Sequence, residues 1–452
     1  MQNPVTEKQQ SGATGKAVPA GYKLTEVGVI PEDWLVISID GCTTKVGSGK
    51  TPTGGASIYV DSGRPFVRSQ NIDWGRLDLT DVAHITDDIH NTFSGSEIQQ
   101  DDVLLNITGA SIGRCAKADF RIAGGNVNQH VCIIRTDAKK LKPSLLVELI
   151  NSNFGQKQID SYQAGGNREG LNFSQVKSLK FAIASNETEQ ATIAKALTDV
   201  NDCIITLVKL LTKKQAIKSA AMQQLLTGKT RLPQFALRED GTVKGYKKSE
   251  LGEIPEDWNY VEFGNLFEPT VIKKTLNDTE EVSFIGMQDV SDSAKLSTYL
   301  LMKKCDIKPG LTYFERGDVL VAKITPCFEN GKGCHTEMLR TNIGYGSTEF
   351  HVLRAKKNVE SAFIYYWTTN IHFRSTLKID MVGSAGHKRV PFQAIQSYKM
   401  QCPENKQEQT AIAAILSDMD QEIQTLQQRL EKTRQLKQGM MQELLTGKTR
   451  LI

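Results

Sequence analysis

Three stretches of the chain resemble part of a nucleotide-phosphate site. Gly47-Ser48-Gly49-Lys50-Thr51 ends in Gly-Lys-Thr, and so does part of the octapeptide LLTGKTRL, which occurs at 225–232 and again at 444–451. A P-loop requires another glycine five positions before the glycine of Gly-Lys-Thr. The chain has other residues at those positions: Thr44, Gln223 and Gln442. We therefore expect no nucleotide site of this type.

The remaining catalytic and metal-binding patterns also fail. Cys327, Cys334 and His335 have no second pair of ligands at a metal spacing, so we expect them to be core or loop residues. H-E-x-x-H, G-x-S-x-G and G-x-G-x-x-G are absent from the sequence. Base-methylating enzymes carry an Asn/Asp-Pro-Pro-aromatic segment, and this chain has no Pro-Pro pair. The sequence predicts no catalytic residue and no metal site.

Polar and cationic residues on Gly-rich loops give a positive signal. Such loops allow close approach to a ligand, and in the major groove Arg and Lys recognise guanine while Asn and Gln recognise adenine. Taken singly, each such residue is usually just a solvated loop residue; because they recur in two regions of the chain, we predict that the set binds DNA. The predicted DNA-binding residues are Ser48, Lys50, Thr51, Arg68, Ser69, Asn71, Thr108, Ser111, Arg114, Asn128, Gln129, Asn167, Arg168, Lys323, Thr325, Lys332, Ser347, Thr348, His387, Lys388 and Arg389.

A cationic stretch lies between these two regions. Residues 203–238 contain seven Lys or Arg and no Asp or Glu. A charged helix face of this kind is usually solvated, but it could equally bind an acidic partner or DNA phosphates.

A repeated helix positions the two regions. Glu189–Leu232 is matched by Glu408–Leu451, displaced by 219 residues, and apolar positions alternate at spacings of four and three in both copies. That heptad pattern predicts two helices that pair with each other, each about 60 Å long for some 40 residues. The predicted pairing residues are Ile193, Leu197, Ile204, Leu207, Leu211, Ile412, Leu416, Ile423, Leu426 and Leu430.

A second repeat marks the start of each region. The sequence IPEDW occurs at 30–34 and at 254–258, and we expect its Trp to anchor the start of a globular lobe. Within the first lobe, short apolar runs predict strands at 58–60, 103–107 and 131–134, and a helix at 143–151. Asp102-Val103-Leu104 matches Asp318-Val319-Leu320, and Phe173 matches Phe392, although the two lobes otherwise differ.

The composition is that of an ordinary globular protein. It has 39% hydrophobic residues, a net charge of +4 and no apolar run long enough to span a membrane. The polar beginning of the chain is not a secretory signal, and the eight scattered Cys are typical of reduced cytosolic thiols. We expect an α+β fold with two globular domains separated by two long antiparallel helices, as an internal pseudo-two-fold duplication. The expected divisions are a disordered tail (1–20), a first globular domain (21–186), a first long helix (187–228), a linker (229–244), a second globular domain (245–404), a second long helix (405–447) and a C-terminal tail (448–452).

This layout resembles the specificity subunit of type I restriction–modification enzymes from residue 21 to the end of the chain. The motifs that carry the resemblance come in the same order and partly twice. They are Pro31-Glu32-Asp33-Trp34, 47–52, Ile107-Thr108-Gly109, Ile112-Gly113, the Glu189-Gln190 helix start through Leu197, Leu225-Leu226-Thr227-Gly228, 324–332 and 346–350.

The resemblance implies a non-catalytic DNA-binding protein in the bacterial or archaeal cytoplasm. Each globular domain would be a target-recognition domain that recognises one half of a bipartite, asymmetric DNA sequence. The two long helices would be spacer helices that set the distance between the halves and dock two methyltransferase subunits. S-adenosylmethionine would bind to the methyltransferase subunits, while ATP and Mg would bind to motor–nuclease subunits that join afterwards; this chain would bind no cofactor. Two other functions remain open, a stand-alone DNA methyltransferase or nuclease and a coiled-coil scaffold that binds proteins.

Overall fold

The computed structural model describes residues 18–163, 170–250, 252–384 and 386–451. The chain forms two compact units: the first comprises the residues up to Val208 and those from Gln428 onward, and the second comprises Lys209–Gln427. Most of the predicted tail, residues 1–17, lies outside the described residues. Among the described helices, none is long and apolar enough to cross a membrane.

The first unit contains thirteen described strands and four short helices, followed by the start of a long helix. The strands are β1 Tyr22–Thr25, β2 Gly28–Pro31, β3 Leu35–Ser38, β4 Thr43–Ser48, β5 Arg64–Val67, β6 Ile72–Asp73, β7 Arg76–Leu77, β8 Ala83–Ile85, β9 Val103–Asn106, β10 Cys115–Lys117, β11 Asn126–Val127, β12 Val131–Thr136 and β13 Lys180–Ile183. The helices are α1 Asp87–Asn91, α2 Pro143–Asn151, α3 Asn153–Gln163, α4 Phe173–Ser178 and the long α5 Glu187–Leu226, which ends in the second unit.

The second unit has a similar but not identical order of elements. Its strands are β14 Tyr246–Ser249, β15 Gly252–Pro255, β16 Trp258–Glu262, β17 Glu281–Ile285, β18 Leu300–Lys303, β19 Thr312–Glu315, β20 Val319–Ala322, β21 Gly333–His335, β22 Ile343–Gly346, β23 Phe350–Leu353 and β24 Lys399–Pro403. Its helices are α6 Pro233–Ala236, within the predicted linker, α7 Ser361–Thr369, α8 Ile371–Ile379, α9 Phe392–Ser397 and the long α10 Lys406–Leu444, which ends in the first unit.

The two lobes have the same strand connections. The antiparallel order β10-β9-β12 corresponds to β21-β20-β23, and β8-β5-β11 corresponds to β18-β17-β22. In each lobe one pair is parallel, β5 with β11 and β17 with β22. The lobes differ at the sheet edges, since β4 extends the first sheet beside β12 whereas β19 extends the other sheet beside β22. The sequence prediction of an internally duplicated α+β fold is thus confirmed.

A buried ion pair is repeated along with this topology. Asp102 accepts two hydrogen bonds from the Arg135 guanidinium at 2.7 and 2.8 Å, and Asp318 accepts two from Arg354 at 2.9 and 2.8 Å. Both carboxylates also accept a backbone N–H at 2.7 Å from the residue three positions earlier. The sequence match between Asp102 and Asp318 therefore has a structural reason: each carboxylate holds the turn before the central strand of its sheet.

Most of the predicted elements in the first lobe are present. The predicted helix at 143–151 is confirmed by α2, and β9 and β12 cover the predicted strands that begin at Val103 and Val131. The predicted strand at 58–60 is wrong, because Gly55–Ile58 forms a 3₁₀ turn and Val60 makes only an isolated bridge to His84. The glycine pair before this run favours the tight turn, and three residues are too few to establish a strand of their own.

The two long helices pack in an antiparallel arrangement. In the first unit, Ile193 and Leu197 near the start of α5 share a core with Leu444 near the end of α10. In the second unit, Leu225 near the end of α5 shares a core with Ile412 near the start of α10. Between these ends the predicted pairing residues are mostly buried: Leu207, Leu211, Leu416, Ile423 and Leu430 are buried, while Ile204 and Leu426 are half-buried.

The repeated ends of these helices bind each other crosswise. Within the first unit, Arg450 after α10 donates to Glu189 at the start of α5 at 2.6 and 2.7 Å, and to Asp33 of the first IPEDW. Gly447, at a φ of +68°, lies against Pro31 and Trp34 so closely that a Cβ would come within 2.5 Å of the Pro ring. Both Trp residues of the repeat are buried, and the glycine and arginine of the octapeptide explain why.

The second unit repeats this arrangement with its own residues. Arg231 donates to Glu408 at 2.7 and 2.9 Å and to Asp257, and Gly228 (φ +69°) lies against Pro255 and Trp258. The cationic stretch is thereby largely explained, because four of its residues pair with carboxylates of this unit. The pairs are Lys214 with Glu422, Lys218 with Asp420, Arg231 with Glu408 and Asp257, and Arg238 with Glu256.

Candidate nucleic-acid interface

Four predicted loops of the first unit meet where β4, β5, β9 and β11 end. We call this set the first loop cluster; it comprises residues 48–51, 68–71, 108–114 and 128–130. Gly49 donates its N–H to the Asn128 carbonyl at 3.2 Å, and Thr51 donates its N–H to Oε1 of Gln129 at 3.0 Å. A Cβ at Gly49 would lie 1.6 Å from the Val127 carbonyl oxygen, so only glycine permits this approach.

Asn106 lies at the centre of the first loop cluster. It is fully buried, and its Nδ2 donates to the Ser69 carbonyl at 2.9 Å and to the Ser111 hydroxyl at 3.1 Å. Its Oδ1 has no hydrogen-bond partner among the described residues. Thr108 and His130 contact each other in the same cluster, with 2.5 Å between Thr108 Oγ1 and His130 Nδ1. Sequence reasoning missed Asn106 and His130, although a polar residue directly after the buried run Val103–Leu105 was a signal for the former.

The predicted residues of this cluster differ in what they can offer a ligand. Lys50 and Gln129 are exposed. Asn71 is 2% exposed, and its amide is bonded to the backbone of Arg68, Asp78 and Asp81. Asn71 thus shapes the loop, whereas Lys50 and Gln129 present polar groups to the outside.

The arginines of this cluster are partly neutralised. The Arg68 guanidinium donates to the Asp81 carbonyl at 3.1 Å and lies 5.8 Å from the Tyr59 ring centre. Arg114 approaches the carboxylate of Asp73 at 3.7 Å. Both side chains are only partly exposed, so each could reach a phosphate or base only by loosening these contacts.

The second loop cluster lies at the same place in the topology of the second unit. It comprises residues 323–325, 347–349 and 387–389, together with Lys332. Thr325 donates its N–H to the Lys388 carbonyl at 2.9 Å, and the Arg389 guanidinium donates to Glu349 at 2.7 Å. His387 and Lys388 are exposed, whereas Ser347 is half-buried and donates its N–H to the Ile285 carbonyl.

Charge within the second loop cluster is balanced by Glu349. The hydrogen bond from Arg389 holds the pKa of the Glu349 carboxyl below its ordinary value, and the nearby Lys323 charge acts in the same direction. Burial lowers the pKa of the neighbouring His351, whose Nε2 lies 2.9 Å from the Val390 carbonyl oxygen. Because a carbonyl oxygen can only accept, His351 Nε2 donates to it and braces the loop that carries Arg389.

One predicted pair cannot be placed. Asn167 and Arg168 lie outside the described residues. Where the described chain resumes, it is placed like the end of the 387–389 loop: Leu171 donates its N–H to the Ile107 carbonyl at 2.8 Å, as Val390 does to the Lys323 carbonyl at 2.9 Å. Phe173 and Phe392, matched in the sequence, then begin the equivalent helices α4 and α9.

The described residues offer no group of three or more His, Cys, Asp or Glu side chains placed to hold a metal ion. Cys334 is buried in the core of the second lobe, and burial raises its thiol pKa to about 12. His335 contacts the Ser361 hydroxyl at 2.9 Å. Cys334 thus occupies one of the two placements, core or loop, that were expected for these residues.

Comparison with known proteins gives one consistent family. Residues 31–219 and 255–435 both match the family described as the type I restriction modification DNA specificity domain. The protein named as the MjaX specificity subunit of a type I restriction enzyme in Methanocaldococcus jannaschii is 27% identical over 442 residues, which cover 95% of this chain and 97% of that protein. The type I restriction enzyme EcoEI specificity subunit of Escherichia coli is 32% identical over 169 residues, 37% of this chain and 28% of that one.

A solved structure agrees at the level of the fold. The S subunit of a type I restriction-modification system from M. genitalium matches with a TM-score of 0.56 and 13% identity, over 91% of this chain and 96% of that one. The two family segments coincide with the two halves of the duplication, each containing one lobe and most of one long helix. The chain therefore belongs to the type I restriction–modification DNA specificity family.

Proposed function

We propose that this chain is the DNA-recognition subunit of a type I restriction–modification complex, and that each loop cluster recognises one half of a bipartite, asymmetric DNA sequence. The family membership supports a role in which this chain recognises DNA within a complex and does not itself catalyse a reaction. The half-site assignment rests on the two loop clusters, which occupy equivalent places and carry the predicted DNA-binding residues.

One observation carries this proposal. The two lobes keep the same strand connections but present different side chains, such as Lys50 and Gln129 in one cluster and His387 and Lys388 in the other. The helix ends, in contrast, keep the same residues and the same contacts in both units. Different loops on a repeated scaffold suit two different half-sites, while repeated helices suit two identical partners.

The partners follow from the repeated helices. We propose that two methyltransferase subunits dock on them and that these subunits bind S-adenosylmethionine. Motor–nuclease subunits that use ATP and Mg would join the assembly afterwards, and this chain would bind no cofactor itself.

The helices are also proposed to set the spacing between the half-sites. A helix of 40 residues, the length of α5, is about 60 Å long. Half-sites read from one face of DNA recur about one helical turn, roughly 10 bp, apart. A rigid helical pair would therefore fix the number of unread base pairs.

The experiment is a genome-wide map of methylated adenines in cells with and without this gene, with the partner methyltransferase present in both. We expect a bipartite, asymmetric motif to disappear with the gene. Replacing residues 21–186 with the corresponding lobe of another family member should then change one half of the motif and leave the other half intact. A motif that is unaffected by the deletion would contradict the proposal.

A further inference from the structure

We propose that Gln70 and Gln288 are equivalent specificity-determining residues, each reading an adenine in its own half-site through the major-groove edge. This inference rests on the proposed function and adds a residue-level contact to it. Both glutamines lie outside the predicted DNA-binding set, and their equivalence emerges only when the two lobes are compared.

The two glutamines occupy the same turn in the two lobes. Each is the middle residue of a 3₁₀ turn, Ser69–Asn71 or Met287–Asp289, which directly follows the corresponding strand β5 or β17. Each turn is closed in the same way, since the backbone N–H before the turn donates to the side chain of its last residue. These bonds are 3.0 Å from Arg68 to Asn71 and 2.7 Å from Gly286 to Asp289.

Each turn is also fastened to its loop cluster beside the glutamine. The carbonyl of Ser69 accepts from the Asn106 amide at 2.9 Å, and the carbonyl of Met287 accepts from the Lys332 ammonium at 3.1 Å. The backbone of both glutamines is therefore held by neighbours, while both side chains are exposed. A held backbone with an exposed side chain suits a residue that contacts a base, because the backbone is already ordered before the DNA binds.

A carboxylate lies within hydrogen-bond distance of each glutamine amide, although the two carboxylates come from different positions. Nε2 of Gln70 donates to Asp81 at 2.8 Å, and Nε2 of Gln288 lies 3.4 Å from the Asp289 carboxylate. Each contact uses one of the two hydrogens on Nε2. The second hydrogen and Oε1 have no partner within the described chain, and together they match N7 and the N6 amino group of adenine.

The residues around the two glutamines, in contrast, differ between the lobes. The groups that fasten the two turns differ in position as well as in chemistry: an amide at the end of β9 in one lobe, and an ammonium on the residue before β21 in the other. The last residue of the turn is Asn71 in one lobe and Asp289 in the other. An exposed glutamine kept on a turn whose other residues differ points to a base that both half-sites share.

The test uses the assembled complex of this chain with its methyltransferase subunits and duplexes that carry the mapped motif. In each duplex one adenine is replaced by 7-deazaadenine, which lacks the N7 acceptor. With the unaltered chain, we expect one adenine in each half-site at which this change weakens binding roughly 5- to 150-fold, the discrimination of a bidentate contact. In Gln70→Ala the penalty should vanish at one of these adenines, and in Gln288→Ala at the other.

Matched variants test whether the loss of any exposed glutamine amide would have the same effect. Gln100→Ala in the first unit and Gln407→Ala in the second remove exposed glutamines outside the loop clusters and should retain both penalties. Equal 7-deazaadenine penalties in the unaltered chain and in Gln70→Ala and Gln288→Ala would overturn the inference, and so would loss of both penalties in one variant. Those outcomes leave the proposed function standing, because that function fails only if the motif survives deletion of the gene.

Discussion

Arg231 and Arg450 hold the same position in the two octapeptides, yet their surroundings differ. Each guanidinium binds the first residue of the Glu-Gln pair that begins the opposite helix, and each lies over a Trp ring, at 5.7 Å for Arg231 and 5.9 Å for Arg450. The Arg231 side chain is only 6% exposed, against 27% for Arg450. The same ionic contact is therefore much better shielded from water in the second unit.

This difference predicts unequal costs for the same substitution. Removing one partner of a buried ion pair costs about 3–5 kcal/mol, because the other charge is left buried and unpaired. We expect Arg231→Ala to lower the free energy of unfolding by about that amount and Arg450→Ala, its matched control, to lower it less. Denaturant unfolding of the two variants beside the unaltered chain measures both. Equal losses would mean that burial of the guanidinium does not govern the cost.

Acid should relieve the Arg231→Ala defect. Burial raises the pKa of Glu408 even with Arg231 present, since desolvation outweighs the hydrogen bonds from Arg231 and Trp258. A carboxyl with a raised pKa in the folded state destabilises that state when it is ionised and no longer does so once it is protonated. The deficit of Arg231→Ala should therefore shrink as the pH falls through the raised pKa of Glu408.

Single residues also show how much of the structure the sequence alone can predict. The repeated Glu189 and Arg450 were visible in the sequence, but repetition shows only that two segments are alike and not that one copy binds the other. Asn71 was predicted to contact DNA from its residue type alone, whereas its 2% exposure depends on the packing of the surrounding loop. Gln288 carried no signal by itself, because its equivalence to Gln70 becomes visible only once both turns are placed on their strands.

The long helices were the most predictable elements. Their predicted ranges, 187–228 and 405–447, lie close to the observed Glu187–Leu226 and Lys406–Leu444. Heptad spacing is a local property that one helix carries along its whole length, so the sequence alone can define it. The strands of the lobes are short and pair with distant segments, and for this reason the run at 58–60 could be mistaken for a strand.

The helix seam gives the prediction at this scale. Leu207 is 5% exposed and Leu426 is half-buried, and both occupy the same heptad position in the two repeats. The double variant Leu207→Glu, Leu426→Glu places charges in the apolar seam, so we expect it to separate the helices and abolish sequence-specific DNA binding by the assembled complex. Leu210→Glu with Leu436→Glu is the matched control, since these residues are 36% and 57% exposed. Specific binding by the seam variant would refute the helix pair as the element that holds the recognition domains.

At the scale of the whole molecule, each of the two units contains the same junction between the end of a long helix and an IPEDW segment. In the second unit the end of α5 is followed by a short linker to the second IPEDW, and Tyr246 donates its hydroxyl to the Gly228 carbonyl at 3.3 Å. In the first unit the residues after α10 meet the first IPEDW without any such linker, yet Tyr22 donates to the Gly447 carbonyl at 3.1 Å. The same junction is therefore formed once between segments joined by a short linker and once between segments far apart in the sequence.

Because continuity is dispensable at one junction, it should be dispensable at the other. We predict that a circular permutant retains sequence-specific DNA binding with its partners when Leu451 is joined to Val18 through a copy of the linker 233–244 and the chain is opened between Asp240 and Gly241. Both residues at the new opening are exposed, and the contacts of Arg231 with Glu408 and Asp257 remain available to hold the junction. The matched control has the same join but opens the chain between Lys213 and Lys214, inside α5, where intrahelical hydrogen bonds and the paired seam are interrupted. Binding to duplexes with the intact and the scrambled motif measures specificity, and a permutant opened at 240–241 that binds no better than the α5-opened control would show that the covalent linker is required.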